Sequence, residues 1–538
     1  MKAMKMNKAI SNTRLLPAAM AVIGLSLTAT AYAAAPGITG PTFNLTAQAA
    51  YITQPDGAAI YSWGYGCSAT APPSGYAPAS ITTTFCNTMQ VPGPTLIVTQ
   101  GQTVIVRLTN NLPNAAGNTS ILFPGFQVTP TGGVQGLWAR EAGHATTNNT
   151  VTYTFVASSP GTRAYYSGTQ GDLQVEMGLY GAIIVLPSTV PADCTSGLHA
   201  SNLTAQAHWG ESNYRLAAAA YNHPGACYDR EYLFQFSEID PVIHSEALAQ
   251  VTARATCVAG AIGCSLEVPT EPYHPAYFMI NGRSMPDDMD ANYALQYPHQ
   301  PYNGNPHMHP GEQVLIRVIG QGRWQHPFHE HGNHVRILGR DGNLILSPNM
   351  IPTTTTTALA GPLMFTTTTT PGQAFDGIFY WTGKGLNWDA YGHNPASSDP
   401  SAKLPCTPDT NGYNTSAPTA INYFEWCQDH NRPVEAAPVG DVANGGPATL
   451  PDPNILTNGP WYGGSPYLGP NATVRAVGTT GTTPPSGTVA NSPTDEAGFA
   501  FMWHSHNERE ITTNNIFPGG MLMMMLVDSR EFVIDESN

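Results

Sequence analysis

Histidine recurs at a spacing of two in two places. His329 and His331 lie in HPFHEHGNH, residues 326–334, and His504 and His506 lie in FMWHSHNERE, residues 501–510. On an extended strand, residues two apart face the same way. If the two strands lie side by side, four imidazoles converge, and nitrogen donors at about 2 Å suit copper or zinc. One His-x-His is a weak signal; two, at corresponding ends of one stretch of chain, form a stronger one. A three-histidine site with an open position can be catalytic. Glu330, Glu508 and Glu510 are close enough in sequence to add oxygen ligands or to orient an imidazole. The competing reading leaves the four histidines without metal. His326 is read either as a further ligand or as a structural residue. A third His-x-His, His307 and His309 in PHMHPGE, precedes a strand beside prolines and is expected on an exposed loop. Met521, Met523, Met524 and Met525 are expected to pack a core rather than ligate metal, and Tyr165 and Tyr166 to be buried aromatics.

Positioning these residues takes strands. A glycine turn leads into an alternating segment twice, in GQTVIVRLTN (101–110) and GEQVLIRVIG (311–320). Alternation at a period of two puts one face on a core. The surrounding stretches 91–113 and 306–327 look alike, and so do 161–187 and 498–528. Two copies of one antiparallel β-sandwich follow as the simplest reading, at 38–189 and 205–535. The second is too long for one sandwich. Its excess, 385–496, is rich in Pro, Gly, Asn and Thr and is expected to be a long insertion with little regular structure. A short helix is expected at 244–256. The threonine run at 366–370 is expected to be strand because PGQAFDGIFYW follows it, and the run at 353–357 to be linker.

Residues 1–33 read as a secretory signal: four basic residues, an apolar run, and a small-x-small site before Ala34. No other segment is apolar for long enough to span a bilayer. Beyond the signal, 17 basic residues stand against 36 acidic ones, which argues against nucleic acid as a partner. Charged residues are only 11% of the chain, and Gly, Pro, Thr and Asn are plentiful instead, which suits a turn-rich β protein. The eight cysteines fall into neighbours: Cys67 and Cys86, Cys194 and Cys227, Cys257 and Cys264, Cys406 and Cys427. An even count in an exported chain favours disulfides, each contributing roughly 2–4 kcal/mol. The expected location is therefore periplasmic or extracellular.

The motifs and their order resemble the multicopper oxidase family. VPGPTLIVTQGQTVIVRLTNNLP (91–113) is similar to the family's opening, INGR (280–283) to its middle, HPFHEHG to its H-P-x-H-x-H-G motif, and WHSH with PGGMLMMM to its closing H-C-H motif. The likeness spans both predicted domains and omits the 385–496 insertion. It implies an all-β protein with two cupredoxin-like Greek-key β-sandwich domains. Family members carry one substrate-side copper on a Cys, two His and often a Met. Eight histidines in four H-x-H motifs hold three more coppers.

Carried over by position, the resemblance makes His329, His331, His504 and His506 copper ligands and His326 a ligand of the substrate-side copper. The rest of the set is absent. SILFPG (120–125) has Leu122 and Pro124 where histidines belong, and YYSG (165–168) has Tyr166 and Gly168. Ser505 replaces the cysteine and Glu510 the second substrate-side histidine. A serine hydroxyl does not make the Cu–thiolate bond of a blue site, so the usual four-copper relay is not expected. The economical expectation is one copper ion per chain on four histidines, with zinc or no metal as the alternatives. Two functions follow. One is an exported oxidoreductase acting on metal ions or small reductants. The other is a non-enzymatic metal-binding, surface or assembly protein. Two-domain relatives often assemble as trimers, so a homo-oligomer is a further expectation.

Overall fold

The computed structural model describes residues 35–77, 86, 88–144, 147–258, 261–347, 358–385, 405–430, 464–468, 497–528, 530 and 532–534. The signal-like segment 1–33, the threonine run 353–357 and most of the 385–496 insertion lie outside these residues.

Alternation builds the sheets as expected. Along Thr103–Asn110, Val104, Val106 and Leu108 turn inward while the residues between them face out. That strand lies in a five-stranded sheet, in the order Ala59–Cys67, Thr42–Thr53, Thr103–Asn110, Thr150–Val156, Thr129–Gly132. A second five-stranded sheet runs Gly161–Tyr166, Tyr180–Leu186, Leu96–Thr99, Gly37–Thr39, Tyr76–Ala77. Trp63, Tyr65, Val104 and Val106 from the first sheet meet Leu96, Val98 and Ile183 from the second in one core.

A second sandwich repeats the plan. One sheet has Tyr277–Ile280, Arg230–Ile239, Gln313–Gly320, Ala374–Tyr380 and Val335–Arg340 as its first five strands in order. The other runs His307–Met308, Leu522–Asp528, Ala497–Ser505, His326–Glu330, Thr366–Thr369. Phe234, Ile316, Val318 and Phe379 face Phe328, Phe501, Trp503, Met523 and Met525 between them. Met521, Met523 and Met525 are thus core residues. The threonine run forms strand over Thr366–Thr369.

Neither sandwich is purely antiparallel. Leu96–Thr99 pairs in parallel with both of its neighbours, Thr42–Ala47 with Ile105–Asn110, and Arg230–Phe236 with Val314–Gly320. Parallel neighbours need a long connection. Here the chain supplies one by crossing to the opposite sheet between the two partners.

The helix expected at 244–256 runs over Pro241–Ala253. Asp240 caps it by accepting from Val242 N–H at 2.9 Å, and Pro241 occupies its first turn. Ile243 and Ala247 join the core of the first sandwich. The two sandwiches are also tied by buried polar contacts. Thr162 of the first donates to Asp376 of the second, through its hydroxyl to Oδ1 at 2.6 Å and through its backbone N–H to Oδ2 at 3.1 Å, and Tyr221 of the second also donates to Asp376 Oδ2 at 2.6 Å. The eight cysteines form four disulfides, Cys67–Cys86, Cys194–Cys227, Cys257–Cys264 and Cys406–Cys427.

Candidate metal centre

Strand register brings the two His-x-His pairs together. His326–Glu330 lies antiparallel to Ala497–Ser505, with His329 directly opposite His504. Residues opposite each other in such a pair share a face. His331 and His506 are the next residues on that face. The ring centroids lie 4.6 Å apart for His329 and His506, 5.5 Å for His329 and His504, and 5.2 Å for His331 and His504. Ligand nitrogens of His329, His331 and His504 fall within 4.8 Å of one another, and His331 Nε2 is 3.3 Å from His504 Nε2. Two nitrogens bound tetrahedrally at about 2 Å from one ion sit roughly 3.3 Å apart.

Neighbouring groups aim these rings. His504 Nδ1 lies 2.7 Å from Ser505 O, and a carbonyl only accepts, so Nδ1 carries the hydrogen and Nε2 faces His331. Thr366 sits opposite His329 in the next strand, with its hydroxyl 2.5 Å from His329 Nδ1. The Trp503 indole N–H donates to His331 O at 2.9 Å. Burial, reinforced by the facing histidines, pushes the His329 pKa down to about 3. Burial first, then His506, pushes His504 down as well. Both are neutral near pH 7, the form that binds metal. The His506 side chain is half exposed, with Nδ1 3.5 Å from Glu508 Oε1, so the cluster reaches solvent on one side. The donor set fits a single nitrogen-bound copper or zinc ion.

His326 points the other way. It shares the opposite face of its strand with Phe328 and Glu330, and it is fully buried. Its Nε2 lies 2.9 Å from Glu238 Oε2 and its Nδ1 lies 2.9 Å from Glu510 Oε2. Glu238 Oε1 accepts from the backbone N–H groups of Arg323 and Trp324, each at 2.7 Å, and from Tyr273 OH at 3.2 Å. Glu510 accepts from the Ser505 hydroxyl and from Asn507 Nδ2. Both His326 nitrogens thus face carboxylate oxygens, and a ring that donates from both nitrogens is an imidazolium. Burial alone would lower its pKa, but the two carboxylates hold it up at about 9. A substrate-side copper does not fit here, because Ser505 offers no thiolate and both ring nitrogens are taken.

Two further expectations change. Glu330 offers no ligand oxygen, because strand alternation turns it into the core opposite Trp503; it accepts from Thr367 Oγ1 at 3.2 Å, and burial raises its pKa well above the carboxylate range. His307 and His309 are buried rather than exposed. His307–Met308 is an edge strand beside Leu522–Asp528, which places His307 Nδ1 2.6 Å from Asp528 Oδ2 and His309 Nε2 2.7 Å from Glu211 Oε1. Buried acids, invisible in the local motif, drew them inward. Glu238 and Thr366 also carry little signal in the sequence. The only sequence sign of Glu238 is an acid in the apolar strand REYLFQFSEI, and Thr366 was hidden in a uniform threonine run.

Residues 71–189 match the multicopper oxidase family. That match lies within the first sandwich. No curated protein matches the chain. Among solved structures, the chain is similar to a blue copper oxidase from Nitrosomonas europaea, with 15% identity, a TM-score of 0.40, and 90% of this chain and 85% of that chain covered. The multicopper oxidase mgLAC gives the same figures. A laccase from Botrytis aclada has 19% identity and a TM-score of 0.35 over 64% of this chain and 47% of that chain.

In the first sandwich, the two motif stretches meet but carry no ligands. Leu122 N–H donates to Tyr166 O at 2.7 Å. A Cβ at Gly168 would lie 2.7 Å from Leu122 Cγ, so the leucine fills the space that a side chain there would need. The clustered imidazoles lie in the second sandwich.

Proposed function

We propose that the protein is an exported copper protein with oxidoreductase activity, and that His329, His331, His504 and His506 hold one copper per chain. The supporting observation is the register that sets His329 opposite His504, with His331 and His504 nitrogens at the spacing of two ligands of one ion. One-electron cycling between Cu(II) and Cu(I) is the chemistry that copper supplies there. The chain's own part is to keep His504 in one tautomer through Ser505 O, to brace His329 with Thr366, and to leave His506 open toward solvent. Metal ions or small reductants are the proposed substrates, approaching that open side. We further propose two domains, 38–189 and 205–535, the latter with the 385–496 insertion. Four disulfides suit an oxidising compartment, periplasmic or extracellular. No helix among the described residues is long and apolar enough to cross a membrane.

The His326 ion triad favours a second reading, a metal-binding protein without turnover, because it closes the position from which relatives feed electrons. One experiment separates the two. Elemental analysis and copper EPR on the purified protein are combined with oxidation assays on wild type and His504→Ala/His506→Ala. The oxidoreductase reading expects about one copper per chain, a spectrum of nitrogen ligands without intense blue absorption, and loss of both metal and turnover in the variant. Turnover that survives the double substitution refutes it; metal without turnover supports the second reading.

A further inference from the structure

The outer face of one sheet of the second sandwich carries a cavity of about 460 Å³. Register explains its floor. Gln313 pairs with Tyr380, and Ile378 pairs with Arg336, across three neighbouring strands. Residues so paired share a face, and all four line the cavity, with Leu359 and His334 at its walls. The volume lies within the range of about 300–1,000 Å³ common to small-molecule sites.

The lining is divided in character. Ile378 and Leu359 make an apolar side, and no carboxylate lines the cavity. Arg336 donates to Gly361 O at 3.2 Å and has no ion pair among the described residues. Arg230, Arg317 and Arg530, all buried in the same sandwich, each meet a carboxylate. In a chain of net charge −15, an arginine in a walled recess without a counter-ion is a place for an anion. The Tyr380 hydroxyl and the Gln313 amide make no hydrogen bond among the described residues and can add donors. Burial lowers the His334 pKa, so its ring offers hydrogen bonding without charge near pH 7. Phe365 packs edge-on against both His334 and His329, with centroids 5.0 and 5.9 Å away, which sets the cavity beside the histidine cluster.

We propose that this cavity binds a small organic carboxylate, with the carboxylate on Arg336 and the hydrocarbon body against Leu359 and Ile378. A planar fork of N–H donors matches a carboxylate in two parallel hydrogen bonds, and the apolar wall rewards a carbon body over an inorganic anion. The site goes beyond the copper reading and stands without it.

The test uses metal-free full-length protein, which separates its outcome from that of the copper assays. Calorimetric titration compares benzoate, benzamide and inorganic phosphate at constant ionic strength, in wild type, Arg336→Gln and the cavity-filling Leu359→Trp. The expected result is one benzoate per chain, bound at least tenfold more tightly than benzamide, with a tenfold or greater loss in Arg336→Gln and a comparable loss in Leu359→Trp. Circular dichroism confirms that each variant is folded, and if one fails to fold the other decides. Equal binding of benzoate and benzamide, or unchanged benzoate binding in a folded variant, overturns the proposal. Phosphate that matches benzoate overturns the organic part and leaves a plain anion site.

Discussion

At the scale of single residues, two histidine environments a few positions apart behave oppositely. His329 is depressed to about 3 and stays neutral, while His326 is raised to about 9 and stays charged. Their strand separates them by facing them to opposite sides. For His326 the folded pKa exceeds the unfolded value, so its stabilisation is full below about pH 6.5 and is lost as pH rises through about 9. The melting temperature should therefore fall across that window. In His326→Gln that part of the fall should vanish, and the variant should be less stable by about 3–5 kcal/mol because Glu238 and Glu510 lose their cation. Chemical denaturation at pH 6 and pH 9.5 checks both. Thr366→Ala, which removes the brace on His329, should weaken metal affinity by roughly 10–100-fold with little change in fold. Competition with a chelator of known affinity measures it.

At the scale of elements, the turn after the first histidine pair holds the cluster in shape. Gly332 has φ +98°, a conformation that L side chains avoid. A Cβ there would come 2.9 Å from the Phe501 ring, in the core strand that carries His504. Gly332→Ala should cost roughly 1–3 kcal/mol. It should also reduce metal occupancy by displacing His331, which denaturation and elemental analysis can follow together. Alternation and glycine turns made these strands readable from the chain, as GEQVLIRVIG shows. Parallel pairings such as Arg230–Phe236 with Val314–Gly320 were not readable, because they join segments some eighty residues apart through a crossing that no local pattern records.

At the scale of the whole molecule, the sandwiches are joined by a buried cluster as well as by apolar packing. Asp376 accepts from Thr162 of the first sandwich and lies 3.5 Å from Arg317 of the second. Asp376→Ala should destabilise the protein by about 3–5 kcal/mol, since Arg317 and its neighbours lose a buried anion. Calorimetry should show the loss, and a split of one transition into two would locate it at the joint. Metal binding should act on the same scale: saturation at 100 times the dissociation constant adds about 2.7 kcal/mol. The resulting rise in melting temperature should be absent in His504→Ala/His506→Ala.

From the chain alone came the strand alternation, the neighbouring cysteines, the same-face spacing within each histidine pair and the absence of a thiolate at Ser505. Each rests on residue type and on positions within one short stretch of sequence, and for the strands and the histidine pairs local geometry converts spacing directly into direction. The tertiary structure alone decided which acids meet which histidines. Glu238 reaches His326 across 88 positions and Glu211 reaches His309 across 98. Such pairs form because burial penalises an unpaired charge, and the partner is whichever group the packed sheets bring within reach. The same packing left Arg336 in a recess without an acid, although nothing in its own stretch of sequence marks it.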